Sequence, residues 1–400
     1  MYSFPYINHL NDVLPAIKDH PEFLVIDKGD YKVVDYVYTT NDTFPPMPNA
    51  DDYEYPHDFD KAIRNARILR ECRGIIFDRD GKLIARRMHK FFNIDQKEES
   101  LVKNIDFSKP HIILEKLDGS QITPFWIDGV CKWGTKKGET EVSAPVQEFV
   151  NNHKEYLFFA IWAEMFGITP IFEWCSRKQR IVIDHPDDRL VLLALRYKNS
   201  GKYDNYDVMK DYADRHGIDV VRAFNSVTTD LIEFIKLTRE LKDMEGYVVR
   251  FDTGHMLKVK ADWYVAIHQT KDMIASEAKV VTWVINNVLD DVLPLLVMEV
   301  DKERVIAYEK AFRKETIVMA HMMMAELLTA KLLYTRKEFA LGPANSVDSI
   351  KRPIYFKCWD NPKAETIYNA MVHTIERGLH NAKKFAMIKE SLFREVKYDY

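Results

Sequence analysis

The sequence predicts an α+β fold, with a domain built on antiparallel sheets followed by an all-α domain. Three observations carry this. Four hundred residues exceed one typical domain, so two are the default. Up to about residue 265, short segments rich in β-branched and aromatic residues alternate with turn signals. Beyond Trp263-Tyr264 the chain becomes rich in Ala, Leu, Met, Lys and Glu, with apolar residues near i, i+3 and i+4.

The elements follow in order. Residues 32–40 read as a strand. Residues 74–87 read as a hairpin turned by Asp80-Gly81, and 111–134 as strands with two further turn signals, Asp118-Gly119 and Asp128-Gly129. Strands are predicted at 170–175, 180–183, 189–197, 246–251 and 255–260, and helices at 144–166 and 227–242. Helical periodicity then covers 271–299, 301–335, 362–379 and 381–395, with breaks at Gly342-Pro343, Pro353 and Pro362. The expected domains are 1–264 and 265–400.

Bulk charge is uninformative. The formal net charge is −4, with 37 basic against 43 acidic residues in 1–264 and 20 against 18 in 265–400. A nucleic-acid surface would have to be a local stripe. The basic tail (Lys383, Lys384, Lys389, Arg394, Lys397) reads first as the polar face of a last helix, with RNA-phosphate binding as the alternative. Cys72, Cys131, Cys175 and Cys358 form no CxxC pair, which argues against a zinc site or a disulfide framework. The start, MYSFPYINHL, lacks the pattern of a secretory signal. No continuous apolar run approaches the roughly 18–20 residues of a membrane span. The chain is expected to be soluble and cytoplasmic, without a membrane partner.

Chemistry concentrates in four short motifs. Glu115-Lys116-Leu117-Asp118-Gly119 sets a lysine before a tight turn at the end of a β-rich run. Such a lysine is a nucleophile only as the neutral amine. Alone, the motif reads as a surface turn. Phe172-Glu173-Trp174 places an acid between two aromatics, so Glu173 points away from both rings in a strand. A ribose hydroxyl is one natural partner for it, and Arg177 or Arg180 is the structural alternative. Glu245-Gly246-Tyr247-Val248-Val249 puts a carboxylate immediately before an apolar strand. Lys258-Val259-Lys260 sets two ammonium groups on one strand face, where an anion such as a triphosphate would relieve their repulsion. A solvated edge strand is the plainer reading of that pair.

In this order the four motifs resemble the covalent nucleotidyltransferases, a superfamily of DNA ligases, RNA ligases and mRNA capping enzymes. Upstream, Glu71-Cys72-Arg73-Gly74-Ile75-Ile76-Phe77 and Arg87-Met88-His89-Lys90-Phe91-Phe92-Asn93 are similar to segments of RNA ligases. Lys258-Val259-Lys260-Ala261-Asp262-Trp263-Tyr264 resembles the last motif of the tRNA-repair RNA ligases of T-even bacteriophages. A helical segment follows it here, where DNA ligases and capping enzymes carry an all-β OB-fold. The resemblance covers about residues 30–295.

The resemblance implies an ATP-dependent RNA ligase that uses Mg²⁺, with Mn²⁺ as a substitute. It implies that Lys116 is the adenylated nucleophile, with Glu245 assisting the metal-dependent steps. Lys258 and Lys260 would hold the α-phosphate and Tyr264 would support that site. Tyr36 (with Tyr38 as its rival), Arg73, Lys90, Glu115 and Glu173 would form the nucleotide pocket. Lys137 would touch phosphate, a solvated turn being its plain alternative. Asp290 and Asp291 would lie near a divalent ion, or form a helix-terminal acidic pair in solvent. The implied substrate is RNA with 5′-phosphate and 3′-OH ends, such as a broken tRNA anticodon loop, with single-stranded DNA as a further candidate. A monomer in the cytoplasm of a host cell is the implied setting. Cys175-Ser176-Arg177-Lys178-Gln179 is more basic than the phage pattern. Another nucleotidyltransferase, or a non-catalytic RNA-binding protein on the same fold, are the rival readings.

Overall fold

The computed structural model describes residues 3–398 except Asn41, Arg180, Val227 and Val297. The chain divides into two compact units, Met1–Val265 and Ala266–Tyr400. The first is mixed α+β with antiparallel sheets, and the second contains only helices among its described residues.

The first unit holds three sheets. Strands β1 (Phe23–Asp27), β2 (Tyr31–Tyr36), β3 (Ile75–Asp78) and β4 (Leu83–Ala85) pair in chain order. The remaining strands are β5 (Phe92–Asn93), β6 (His111–Glu115), β7 (Ser120–Ile127), β8 (Val130–Gly134), β9 (Ile168–Cys175), β10 (Arg189–Tyr197), β11 (Ala223–Phe224), β12 (Gly246–Phe251) and β13 (Met256–Lys260). They form one sheet ordered β10-β9-β7-β8 and another ordered β11-β6-β12-β13-β5.

The two Asp-Gly turns that look alike in sequence do different things. Asp128 and Gly129 both have positive φ, 49° and 79°, and join β7 to β8 with Ile127 opposite Val130. Two left-handed residues match the twist of paired strands, so this is a tight hairpin. Asp118-Gly119 makes no hairpin. It carries the chain from β6 in one sheet to β7 in the other. A Cβ on Gly119 would lie 2.3 Å from the Trp174 carbonyl oxygen, so only glycine permits that crossing.

Strand β9 is buried along its whole length. Phe172 and Trp174 pack into a core with Tyr156, Phe159, Ala160 and Ala163 of the helix Lys154–Met165. The two-residue period turns Glu173 to the opposite face. The helix expected at 144–166 is two, Ser143–Asn152 and Lys154–Met165, broken at His153, and the helix expected at 227–242 is shorter, Leu231–Arg239. The expected strand at 180–183 is absent. Arg180 lies outside the described residues, and 181–183 form a bend whose Val182 and Ile183 amides donate to Asp118 rather than to a strand. The helices Pro56–Glu71 and Tyr206–His216 were not expected; both are polar overall, with a narrow apolar stripe at helical spacing (Phe59, Ile63, Ala66 and Leu69; Met209, Tyr212 and Ala213).

Glu71, buried at the end of Pro56–Glu71, ties the first unit together. Its carboxyl pairs with Arg86 at 2.9 Å and Arg196 at 2.8 Å. Burial alone would raise its pKa, yet the two guanidiniums hold it at about 2. Removing one member of such a buried network costs about 3–5 kcal/mol. Arg73 follows two residues later, so the network anchors a side chain that the sequence singles out.

In the second unit, the 35-residue helix Glu299–Leu333 places Val305, Tyr308, Phe312, Ala320, Met323 and Leu327 in a core shared with helices Glu277–Ile285, Ala364–Glu376 and Ala382–Leu392. By length and composition alone this helix would pass as a membrane span, with an 18-residue window 22% buried. Ten of its twelve charged residues lie before Thr316; in the remaining eighteen only Glu326 and Lys331 are charged, and they keep the apolar stretch from being continuous over a span's length.

Candidate functional site

Two strand pairings bring the sequence motifs together. Glu115 at the end of β6 lies opposite Tyr247 of β12, and Gly246 of β12 lies opposite Lys260 of β13. The Lys116 amide continues the ladder by donating to the Gly246 carbonyl at 2.9 Å. Glu245 therefore emerges between two lysines. Its Oε1 lies 2.7 Å from Lys116 Nζ and 2.9 Å from Lys260 Nζ, with the carboxylate itself buried. Gly246 has φ +132°, and a Cβ there would sit 2.1 Å from the Val259 carbonyl oxygen. Glycine is required where the two backbones meet beneath the lysines.

The turn after Lys116 is held rigidly. Asp118 is buried, and its Oδ2 accepts from the amides of Val182 (2.7 Å) and Ile183 (2.6 Å). Its Oδ1 accepts from the Tyr264 hydroxyl at 2.7 Å. Burial, with Glu245 and Asp118 nearby, pushes the Tyr264 phenol well above its ordinary pKa, so Tyr264 serves as a hydrogen-bond donor. Tyr264 opens the helix Asp262–Ile274, directly after the lysine pair.

Beside Lys116 lies a cavity of about 220 Å³, lined by Arg73, Glu115, Lys116, Glu173 and Lys258 together with apolar Leu117, Leu193, Val221, Val248 and Met256. Its apolar walls suit a flat ring and its polar groups suit a sugar and an anion. Glu173 meets no hydrogen-bond donor among the described residues. Burial pushes its carboxyl up to about 8, Lys116 opposing this and Glu245 reinforcing it. The structural alternative for its partner is not realised by Arg177, which pairs with Asp184 at 2.9 Å, while Arg180 lies outside the described residues. Lys258 makes no ion pair among the described residues and stands 4.5 Å from the centre of the Phe91 ring. Burial and the charges of Arg73, Lys116, Lys90 and Lys260 lower its pKa well below that of an ordinary lysine. The five cations Arg73, Lys90, Lys116, Lys258 and Lys260 outnumber the carboxylates Glu115, Glu173 and Glu245, and such a cluster forms a receptor for an anion.

Tyr36 and Lys90 meet next to this cavity. Lys90 Nζ lies 3.4 Å from the Tyr36 hydroxyl and within 5.5 Å of the centres of Tyr36, Phe44 and Phe92, and burial lowers its pKa. Tyr38, the rival to Tyr36, is exposed. Lys137 is also exposed and outside the cavity lining. Its neighbour Lys136 instead faces inward, 3.0 Å from Asp35 and 4.5 Å from the Tyr36 ring centre. The turn geometry that swaps the two lysines leaves no mark in a Lys-Lys-Gly string. Arg250 and Gln121, which also line the cavity, were not singled out. Arg250 shares a strand face with Val248, and the two-residue period could have flagged it.

Asp290 and Asp291 lie on the short helix Leu289–Val292 of the second unit, both exposed. Among the described residues no group of three or more His, Cys, Asp or Glu side chains could hold a metal ion. The acidic pair alone does not fit a resident divalent metal, which takes six or more oxygen ligands. Of the basic tail, Lys389 is paired with Glu277 at 2.6 Å, while Lys383 and Lys384 are exposed on the last helix.

The family model for RNA ligase matches residues 71–264, a stretch that holds Lys116, Glu173, Glu245, Lys258, Lys260 and Tyr264. A candidate RNA ligase of Thermovibrio ammonificans is 25% identical over 305 residues, covering 74% of this chain and 73% of its own. Among solved structures, an archaeal ATP-dependent RNA ligase is similar at 15% identity and TM-score 0.42, over 65% of this chain and 64% of that one. A Naegleria gruberi RNA ligase variant with ATP and Mn is similar at 14% identity and TM-score 0.33, over 40% and 52%. This chain thus spans less than two thirds of the length of either solved neighbour.

Proposed function

We propose that this chain, whose residues 71–264 match the RNA ligase family, is an ATP-dependent RNA ligase in which Lys116 carries AMP. The observation that carries the reading is Glu245 bridging Lys116 and Lys260 at the rim of a cavity bearing Lys258 and Glu173. Before attack the Lys116 ammonium must give up a proton, and Glu245 Oε1 is in contact to receive it. The free amine then attacks the α-phosphorus of ATP. A P–N bond forms, the bond to the bridging oxygen breaks, and pyrophosphate leaves. Lys258 and Lys260 offset the charge on the phosphate oxygens, a role worth several kcal/mol in a water-poor site. A divalent ion, Mg²⁺ or Mn²⁺, supplies further charge neutralisation when it arrives bound to the triphosphate.

Glu173, protonated in large part at neutral pH, can donate to and accept from a ribose hydroxyl. The lysyl-AMP then yields AMP to the 5′-phosphate of an RNA end, regenerating the Lys116 amine. A 3′-OH attacks that activated phosphate, and AMP departs as the phosphodiester forms. Splitting one displacement in this way stores the ATP energy until an end arrives. Repair of a broken tRNA anticodon loop, by a monomer in the cytoplasm of a phage-infected host, is the setting that the resemblance to the phage RNA ligases implies, and it rests on that resemblance alone.

Incubation with α-labelled ATP and a divalent ion should label the wild-type protein and leave Lys116→Ala unlabelled. Label on the alanine variant would refute the assignment. Absence of label on both would favour a non-catalytic RNA-binding role. Sealing of nicked DNA in preference to single-stranded RNA would favour a DNA ligase.

A further inference from the structure

Residues 116–119 belong to no strand, although the chain crosses there from one sheet to the other. Lys116 is anchored on its upstream side, where its amide donates to the Gly246 carbonyl at 2.9 Å. On the downstream side the anchor is the segment that follows β9. The Val182 and Ile183 amides hold the Asp118 carboxylate, and His185 Nε2 lies 2.7 Å from the Asp118 main-chain oxygen. A carbonyl oxygen only accepts, so Nε2 carries the proton of that bond.

These contacts differ in what they restrain. The two amides and Tyr264 hold a side chain, which can turn about its own bonds. His185 holds the peptide plane between Asp118 and Gly119. That plane is crowded by a second neighbour, since Gly119 approaches the Trp174 carbonyl more closely than any Cβ allows. The bracing segment is itself tied to β9, because the Trp174 indole donates to Gln179 Oε1 at 2.6 Å. From β9, Glu173 enters the cavity wall. Trp174, Gln179 and the stretch 182–185 therefore link the Glu173 wall to the turn behind Lys116. His185 is partly buried and lies outside the cavity lining, so its influence on the chemistry runs through the turn.

We infer that His185 is a positioning residue for Lys116, a role that rests on the ligase reading. By fixing the Asp118–Gly119 peptide it keeps the lysine amine in line with the α-phosphorus. A displacement of about 1 Å at a reacting group costs up to about 10²-fold in rate. The contacts that bind the nucleotide are untouched by it. Loss of the His185 bond therefore slows the step at saturating ATP and leaves ATP binding intact.

Single-turnover labelling over a range of ATP concentrations, with a divalent ion, tests this in His185→Phe and His185→Gln. Phe keeps a flat ring without a donor, whereas Gln carries an N–H as many bonds from the main chain as Nε2. His185→Phe should label at least about tenfold more slowly at saturating ATP, with half-saturation within about twofold of the wild type. His185→Gln should recover to within about threefold of the wild-type rate. If His185→Phe does not fold, His185→Asn, whose donor is one bond too short, takes its place. A wild-type rate without the donor, a Gln variant as slow as the donorless one, or a half-saturation point that rises in step with the lost rate overturns the assignment. Hydrogen exchange of residues 113–122, without ATP, should be faster in His185→Phe than in His185→Gln and the wild type. If the wild type takes no label, the ligase reading fails and exchange decides the brace on its own. Equal exchange in all three proteins overturns it.

Discussion

Replacing Glu173 by Gln should make the protein more stable at pH 8 and leave it nearly unchanged at pH 4. The unfolded chain releases the Glu173 proton near the ordinary value of 4.5, whereas the folded protein keeps it up to about 8, because burial disfavours the charged carboxylate. Between those limits the folded state binds more protons than the unfolded state, so stability falls as pH rises. Below 4.5 both states are protonated and above 8 both are charged, so the loss is confined to that window. Each pH unit is worth about 1.4 kcal/mol, so the window amounts to about 4–5 kcal/mol at most. Gln reproduces the neutral carboxyl and has no proton to lose, so the variant escapes the decline. At about 2–4 °C per kcal/mol for a unit of this size, its melting temperature should exceed the wild type's by on the order of 10 °C at pH 8. Thermal melts followed by circular dichroism from pH 4 to 9, both proteins side by side, measure the difference directly. A difference constant across 4.5–8, or a variant less stable at pH 8, would refute the assignment of a desolvated, unpartnered acid to this position. ATP-dependent labelling should persist in this variant, whose amide can still donate and accept, and should weaken roughly tenfold in Glu173→Ala if the side chain also holds ribose.

Two further substitutions probe the same site. Lys258→Met removes a buried cation that has no carboxylate partner, so it should stabilise the free protein by about 1–3 kcal/mol. Label incorporation from ATP should nonetheless fall about 10²-fold, and stabilisation with labelling intact would show that Lys258 meets no phosphate. Gly246→Ala forces a Cβ against the Val259 carbonyl oxygen at a φ that favours glycine, costing about 3 kcal/mol or more in a urea titration. A wild-type midpoint would show that β12 and β13 separate there with ease.

The legibility of this chain differs by level. Strands β9, β10 and β12 could be read because short, largely apolar runs bounded by polar or turn residues are local properties, visible within six to nine residues. The helices Pro56–Glu71 and Tyr206–His216 could not. Both are polar overall, so although Phe59, Ile63, Ala66 and Leu69, or Met209, Tyr212 and Ala213, fall at helical spacing, the apolar stripe is narrow among charged neighbours. The same limit applies to lysines. Lys136 and Lys137 are adjacent and chemically identical, and the turn closed by the Thr135–Gly138 hydrogen bonds decides which faces Tyr36.

By itself the sequence determined the class of the fold and the residue types that chemistry would need. These were a lysine before a tight turn, an acid alternating with aromatics, an acid before a strand and two lysines on one strand face. Each is a short-range pattern, set by a strand period of two or by the φ that a turn demands. Only the tertiary structure decided that Glu245 bridges Lys116 and Lys260, that Lys258 lines the cavity without an ion pair among the described residues, and that Glu173 meets no donor among them. Those facts depend on the register of β6 with β12, which joins residues more than a hundred positions apart, and of β12 with β13. Register is set by the packing of whole sheets, and no local pattern contains it.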